Sequence, residues 1–191
     1  MIQNYNGYRV LKEFMENPLK GYKLRELSRN LKLGLPSLIK YVKELEKEGM
    51  VELKDYYNTK LYFANRENEK FKIHKIFHNR IQLEESGVIS YLERELYFST
   101  IILFGSRIRG EDTEKSDYDI AVFCPEKKNI DIHEYEKKLK APIQLFVFDA
   151  NDYRRLHDKK NGLLKNITDG IKLSGKSLDT FREIYGNKFK V

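Results

Sequence analysis

The chain has one cysteine, no tryptophan, four prolines and no apolar run near the roughly 20 residues of a membrane-spanning helix. Each absence excludes something. A single Cys124 rules out a disulfide framework and a Cys-rich zinc site, and its apolar surroundings mark it as a small buried hydrophobe. Without a spanning segment no membrane partner is expected, and without a secretory signal pattern the expected location is the cytoplasm. Of the four histidines, only His74 and His78 share a helix face. They lack the intervening Glu of a zinc-protease helix, so surface or packing roles are expected for them.

What is present is charge. The 191 residues hold 36 Lys and Arg against 29 Asp and Glu, a net +7. The partners expected from that balance are acidic, nucleic acid or nucleotide first. Hydrophobic residues at 40% and aromatics at 13% suffice for one medium core or two small ones.

The most informative stretch runs from Leu103 to Phe123. Gly105 and Ser106 follow the apolar run Thr100 to Phe104 directly. After ten intervening residues Asp117 and Asp119 lead into a second apolar run, Ile120 to Phe123. Two strands joined by a polar loop are expected. Residues two apart on a strand share a face, so both carboxylates should point the same way. Paired carboxylates suit Mg²⁺ (Mn²⁺ in its place), a cation that takes oxygen ligands and completes its shell with phosphate and water. Backbone N–H groups around Gly105 and Ser106 would cradle a phosphate, with the Ser hydroxyl as a further donor.

Gly105-Ser106, Arg107, Gly110, Ser116 and Asp117-x-Asp119 together resemble the signature of the nucleotidyltransferase superfamily related to DNA polymerase β. The compact spacing is most similar to its minimal members, among them kanamycin-type transferases and nucleotidylating antitoxins. The resemblance spans about Glu84 to Gly175. It implies that an NTP is bound by Gly105, Ser106, Arg107, Arg109 and Ser116, with Asp117 and Asp119 as metal ligands. It also asks for a third carboxylate on the next strand, Ala141 to Phe148, where the matching position holds Gln144. An amide oxygen can ligate a metal but brings no charge and accepts no proton. Asp149 is expected to cap the following helix, and Asp131 to open the helix Ile132 to Lys140.

The N-terminal third reads as helix, helix, turn, helix and hairpin. Helices are expected around Tyr8 to Phe14, over Leu24 to Leu31, and from Pro36 or Ser37 to about Glu48. Strands Met50 to Leu53 and Lys60 to Ala64 flank a turn at Asp55 to Thr59. The segment is similar to many archaeal and bacterial winged helix-turn-helix domains. That resemblance implies double-stranded DNA as partner, met by Ser37, Lys40, Tyr41, Lys43 and Lys47 on the third helix. Lys54 and Lys60 on the wing would add phosphate contacts. Against it, Glu44, Glu46 and Glu48 crowd the end of that helix, and such domains also dimerise or bind proteins.

The expected fold class is therefore α/β (α+β): a winged helix at 1–64, a helical connector at 65–83, and a nucleotidyltransferase-type mixed sheet flanked by helices at 84–191. Helices are expected over Leu83 to Phe98, over Asp152 to about Thr168, and over Leu178 to Tyr185, with a terminal strand within Gly170 to Gly175. Three functions stay open. The chain transfers a nucleoside monophosphate to a hydroxyl; it senses nucleotide as a DNA-binding regulator with little turnover; or, antitoxin-like, it nucleotidylates a partner protein. A homodimer is compatible with all three.

Overall fold

A computed structural model describes residues 5–158 and 162–186. The chain is mixed α and β and divides into two compact units. One comprises the residues up to His78 together with Gly110–Glu114; the other comprises Asn79–Arg109 and the residues from Lys115 onward.

In the first unit, α1 (Asn6–Glu16), α2 (Leu24–Leu31) and α3 (Leu35–Lys47) precede the strands β1 (Val51–Tyr56) and β2 (Thr59–Ala64). The helices form where apolar residues recur every three to four positions. Val10, Phe14, Leu27, Leu38 and Val42 are all fully buried in one core, joined by Phe71 from α4 (Glu69–Ser86). Arg9 donates to the Leu31 carbonyl at 2.6 Å, tying α1 to the C-terminal end of α2. The hairpin closes more tightly than the sequence suggests. Tyr56 pairs with Thr59, leaving only Tyr57 and Asn58 in the turn, both with positive φ (47° and 60°). Such a turn matches the natural twist of the strands it joins. Tyr22 bridges to Tyr62 and lengthens the small sheet by one short partner.

The start of α4 holds polar groups inside this unit. His78 is buried, 2.9 Å from the Tyr8 hydroxyl and 3.5 Å from Glu16, so it packs, whereas His74 is exposed. Lys75 is 1% exposed. Its ammonium donates to the carbonyls of Met15 (2.9 Å) and Asp112 (2.6 Å) and lies 3.4 Å from the Asp112 carboxylate.

In the second unit the order β5-β4-β3-β6 makes a four-stranded mixed sheet from β3 (Thr100–Phe104), β4 (Tyr118–Phe123), β5 (Ile143–Phe148) and β6 (Ile171–Ser174). β3 runs antiparallel to both β4 and β6, while β4 and β5 are parallel. Parallel neighbours need a crossover, here supplied by α6 (His133–Leu139). Strand alternation divides the core in two. Ile101, Leu103, Ile120 and Val122 face Leu83, Val88 of α5 (Val88–Glu95), and Leu92. Ile102, Phe104, Ala121 and Phe123 face Tyr153 of α7 (Ala150–Asp158), Ile167 of α8 (Gly162–Thr168) and Phe181 of α9 (Leu178–Gly186).

One expected helix is divided, and another runs into residues outside those described. The helix expected over Leu83 to Phe98 breaks at Gly87, whose φ of +80° no right-handed helix admits. The helix expected from Asp152 to Thr168 is α7 and α8, with 159–161 outside the described residues. The small acidic caps sit as the sequence indicates. Asp131 accepts from the His133 amide, and Asp149 accepts from the amides of Asn151 and Asp152. Cys124 is buried just past β4, and its thiol is pushed up to about 11, first by burial and then by the charge of Asp149. Among the described residues no helix is long and apolar enough to cross a membrane.

Candidate nucleotide site

The Gly-Ser pair and the two aspartates meet at one end of this sheet. Phe104, the last residue of β3, pairs in register with Asp119, so Gly105 begins its turn directly beside the Asp119 side chain. Gly105 has φ +81°, and a Cβ placed on it would lie 2.0 Å from Asp119 Oδ2. Only glycine leaves room for that carboxylate. Here the choice of residue in the loop is dictated by the acid on the neighbouring strand.

Asp119 is half-buried and Asp117, just ahead of β4, is exposed. Burial, and then the charge of Asp117, raise the Asp119 pKa above the usual carboxylate range, while Arg107 and Arg109 pull it back down. The two carboxylates thus feel one another, and a cation placed between them would relieve their repulsion. Gln144 stands opposite Asp119 on the parallel strand β5, and its side chain is exposed. By strand alternation Asp119 and Gln144 share the face of Phe104 and Phe146.

The oxygen-bearing side chains near this sheet end are thus two carboxylates and, opposite Asp119 in register, one amide. Among the described residues no three His, Cys, Asp or Glu side chains are gathered as a metal site. Two carboxylates still fit a hard divalent cation, which keeps several positions for water and substrate phosphate. Nearby, Ser106 is half-buried and its carbonyl accepts from the Arg109 amide at 3.1 Å, closing the turn. The Arg109 side chain is exposed and acts electrostatically on Asp119.

Arg107, also felt by Asp119, is turned into the protein. It is 7% exposed, with Nε donating to the Asp117 carbonyl at 2.9 Å and Nη2 to the Ser116 carbonyl at 2.6 Å. Nη1 reaches Asn79 Oδ1 at 3.2 Å, and the guanidinium stacks 3.7 Å over the Tyr118 ring. Ser116 enters the site through its backbone carbonyl in this network. No motif points to Asn79. The only signal for it, as for Lys75, is a polar residue on the inward stripe of α4, one turn apart.

Residues 87–178 match the family described as Polymerase beta, nucleotidyltransferase. No curated protein and no solved structure matches the chain significantly. The matched residues contain the Gly-Ser turn, both aspartates, Gln144 and all four strands of the mixed sheet. The match supports a nucleotidyltransferase-type fold for these residues and suggests nucleotidyl transfer in general.

The residues named for DNA lie on the other unit. Ser37, Lys40, Lys43 and Lys47 are exposed on α3, and Lys54 and Lys60 are exposed on the hairpin. Lys54 pairs with Glu52 at 2.5 Å, a neighbour on its own strand. Tyr41 is half-buried, edge-on to Tyr5 with ring centroids 5.8 Å apart.

Proposed function

We propose that the nucleotidyltransferase-type domain binds an NTP with Mg²⁺ and transfers the nucleoside monophosphate slowly to a hydroxyl acceptor. The observation that carries this reading is Asp119 seated against Gly105, with Asp117 close enough to raise its pKa. Asp117 and Asp119 would hold the cation, which neutralises charge on the phosphates and draws the α-phosphate toward attack. The backbone of Gly105 and Ser106 would receive phosphate oxygens, and Arg109 would offset their charge.

In the transfer, the acceptor oxygen bonds to the α-phosphorus, the bond to the β-phosphate oxygen breaks, and pyrophosphate leaves. The hydroxyl proton must be lost as the new bond forms. Gln144, in the position beside Asp119, cannot take it. Either carboxylate of the pair could, at the expense of its hold on the cation. That conflict is the physical reason to expect slow turnover.

The first unit, on this reading, is a winged helix-turn-helix that meets double-stranded DNA through α3 and the hairpin. Three helices followed by a tight hairpin, with a row of exposed lysines, support it. The neutral amide at Gln144 equally favours a second reading, a DNA-binding regulator that senses nucleotide without turnover. Labelled NTPs incubated with the protein, Mg²⁺ and host extract separate the two. Label on a small molecule, RNA or protein identifies the acceptor, protein label being the antitoxin-like outcome, and Gln144→Glu should increase it. Tight NTP binding without label in wild type and variant assigns the regulator. Failure to bind any NTP removes both.

A further inference from the structure

Arg107 has the sequence position of a phosphate-binding residue and the surroundings of a structural one. A buried guanidinium stays charged, and taking it out of water costs several kcal/mol unless its donors are met. Three of its nitrogens have acceptors with good distances, and its plane is stacked on Tyr118. Asn79, 3% exposed, completes the arrangement by donating from Nδ2 to Arg107's own carbonyl at 3.1 Å. The amide of Asn79 therefore grips Arg107 at both its side chain and its backbone.

What the brace joins gives it meaning. Arg107 follows Ser106 directly, and its side chain ends on the carbonyls of Ser116 and Asp117, across the ten residues separating the two halves of the motif. Tyr118, under the guanidinium, is itself fixed by its amide donating to the Pro142 carbonyl at 2.8 Å, just ahead of the strand that carries Gln144. The chain could close this loop with apolar packing alone. A planar three-point fork instead fixes both distance and orientation.

We propose that Arg107, anchored by Asn79, is a positioning residue that sets the Gly105-Ser106 turn and the Asp117-Asp119 pair in register for a shared ligand. This rests on reading the two aspartates as the cation-binding pair. Lysine at 107 keeps the charge and loses the fork, so it separates positioning from electrostatics.

The experiment compares the full chain with its Arg107→Lys, Arg107→Met and Asn79→Ala variants. Mn²⁺ affinity is read by electron paramagnetic resonance, Asp119 titration by carboxyl NMR, and amide exchange across residues 105–119 without ligand. In Arg107→Lys, Mn²⁺ affinity should fall about tenfold or more, the scale expected when support behind a metal ligand is removed. Exchange at 116–119 should quicken, while Asp119 titrates close to wild type. Arg107→Met should lose the same affinity and also raise the Asp119 pKa, because a cation beside it is gone. Asn79→Ala, which leaves Arg107 in place, should show a smaller loss of the same kind and serves if position 107 does not tolerate change. Wild-type exchange at 116–119 in both Arg107→Lys and Asn79→Ala would overturn the positioning role. A wild-type protein that binds neither Mn²⁺ nor NTP would instead sink the functional reading, with the exchange data still deciding the brace.

Discussion

Ser37, Lys40, Lys43 and Lys47 stand exposed on α3, whereas behind the Asp117-Asp119 pair Asn79, Arg107 and Tyr118 are all buried. The first arrangement is suited to a polyanion, whose many phosphates reward a spread of mobile charge and tolerate imprecise placement. The second is suited to one small ligand, because the backbone that carries Asp117 is held by Arg107, a buried group that would not touch the ligand. Electrostatics alone does not distinguish the two regions, since both are rich in cations. What distinguishes them is how far each side chain's position is determined by its neighbours.

The widest test of that difference is a pair of glycines. Gly105→Ala places a methyl group against the Asp119 carboxylate in a left-handed backbone, and should cost about 2–3 kcal/mol of stability and abolish cation binding. Gly34→Ala, at the start of α3, meets nothing within 4 Å and should change stability by less than about 1 kcal/mol. Chemical denaturation of both variants checks this. Equal losses would mean the site is no more constrained than the helix start.

Next in size is the lysine surface. Changing Lys40, Lys43 and Lys60 together to Ala should weaken duplex DNA binding by about one to two orders of magnitude at low salt. The slope of log affinity against log salt should shrink by about 0.9 for each phosphate that is no longer neutralised. NTP binding should be untouched. Unaltered DNA binding in the triple variant would reassign this unit to dimerisation or a protein partner.

The smallest effect concerns like charge within the site. An acid with a raised native pKa binds more protons folded than unfolded, so it detracts from stability above that pKa. The deficit is relieved as pH falls through the native value toward the ordinary one. Burial is the larger cause, so Asp117→Asn should remove only part of the shift. At neutral pH it should raise the Tm of the ligand-free protein by about 1–3 °C, an advantage that fades in acid. Thermal melts across pH 4–7 read it, and a lowered Tm would show that Asp117 is held by attractions instead.

Legibility in the sequence followed the range of the interaction concerned. α2 could be bounded to the residue, since Leu24, Leu27 and Leu31 mark its stripe, although what caps it is Lys32 in a left-handed conformation. The adjacency of Asp119 and Gln144 was implied by the family resemblance, which asks for an acidic position on the strand after the intervening helix. The break at Gly87 was masked by apolar residues on both sides that kept helical spacing across it. The inward turn of Arg107 was not legible at all. An arginine in a Gly-rich polar loop looks alike whether it faces phosphate or protein, and its direction depends on Asn79, 28 positions away.

The central claim is that Asp117 and Asp119 form a cation-dependent NTP site, and calorimetric titration of the full chain with a non-hydrolysable NTP tests it most directly. The account predicts that wild type binds with Mg²⁺ and loses most of that affinity without it. It predicts that the Asp117→Asn, Asp119→Asn double variant, still folded by circular dichroism, binds at least about 100-fold more weakly even with Mg²⁺. Equal NTP affinity in wild type and double variant, or wild-type binding indifferent to Mg²⁺, would contradict it.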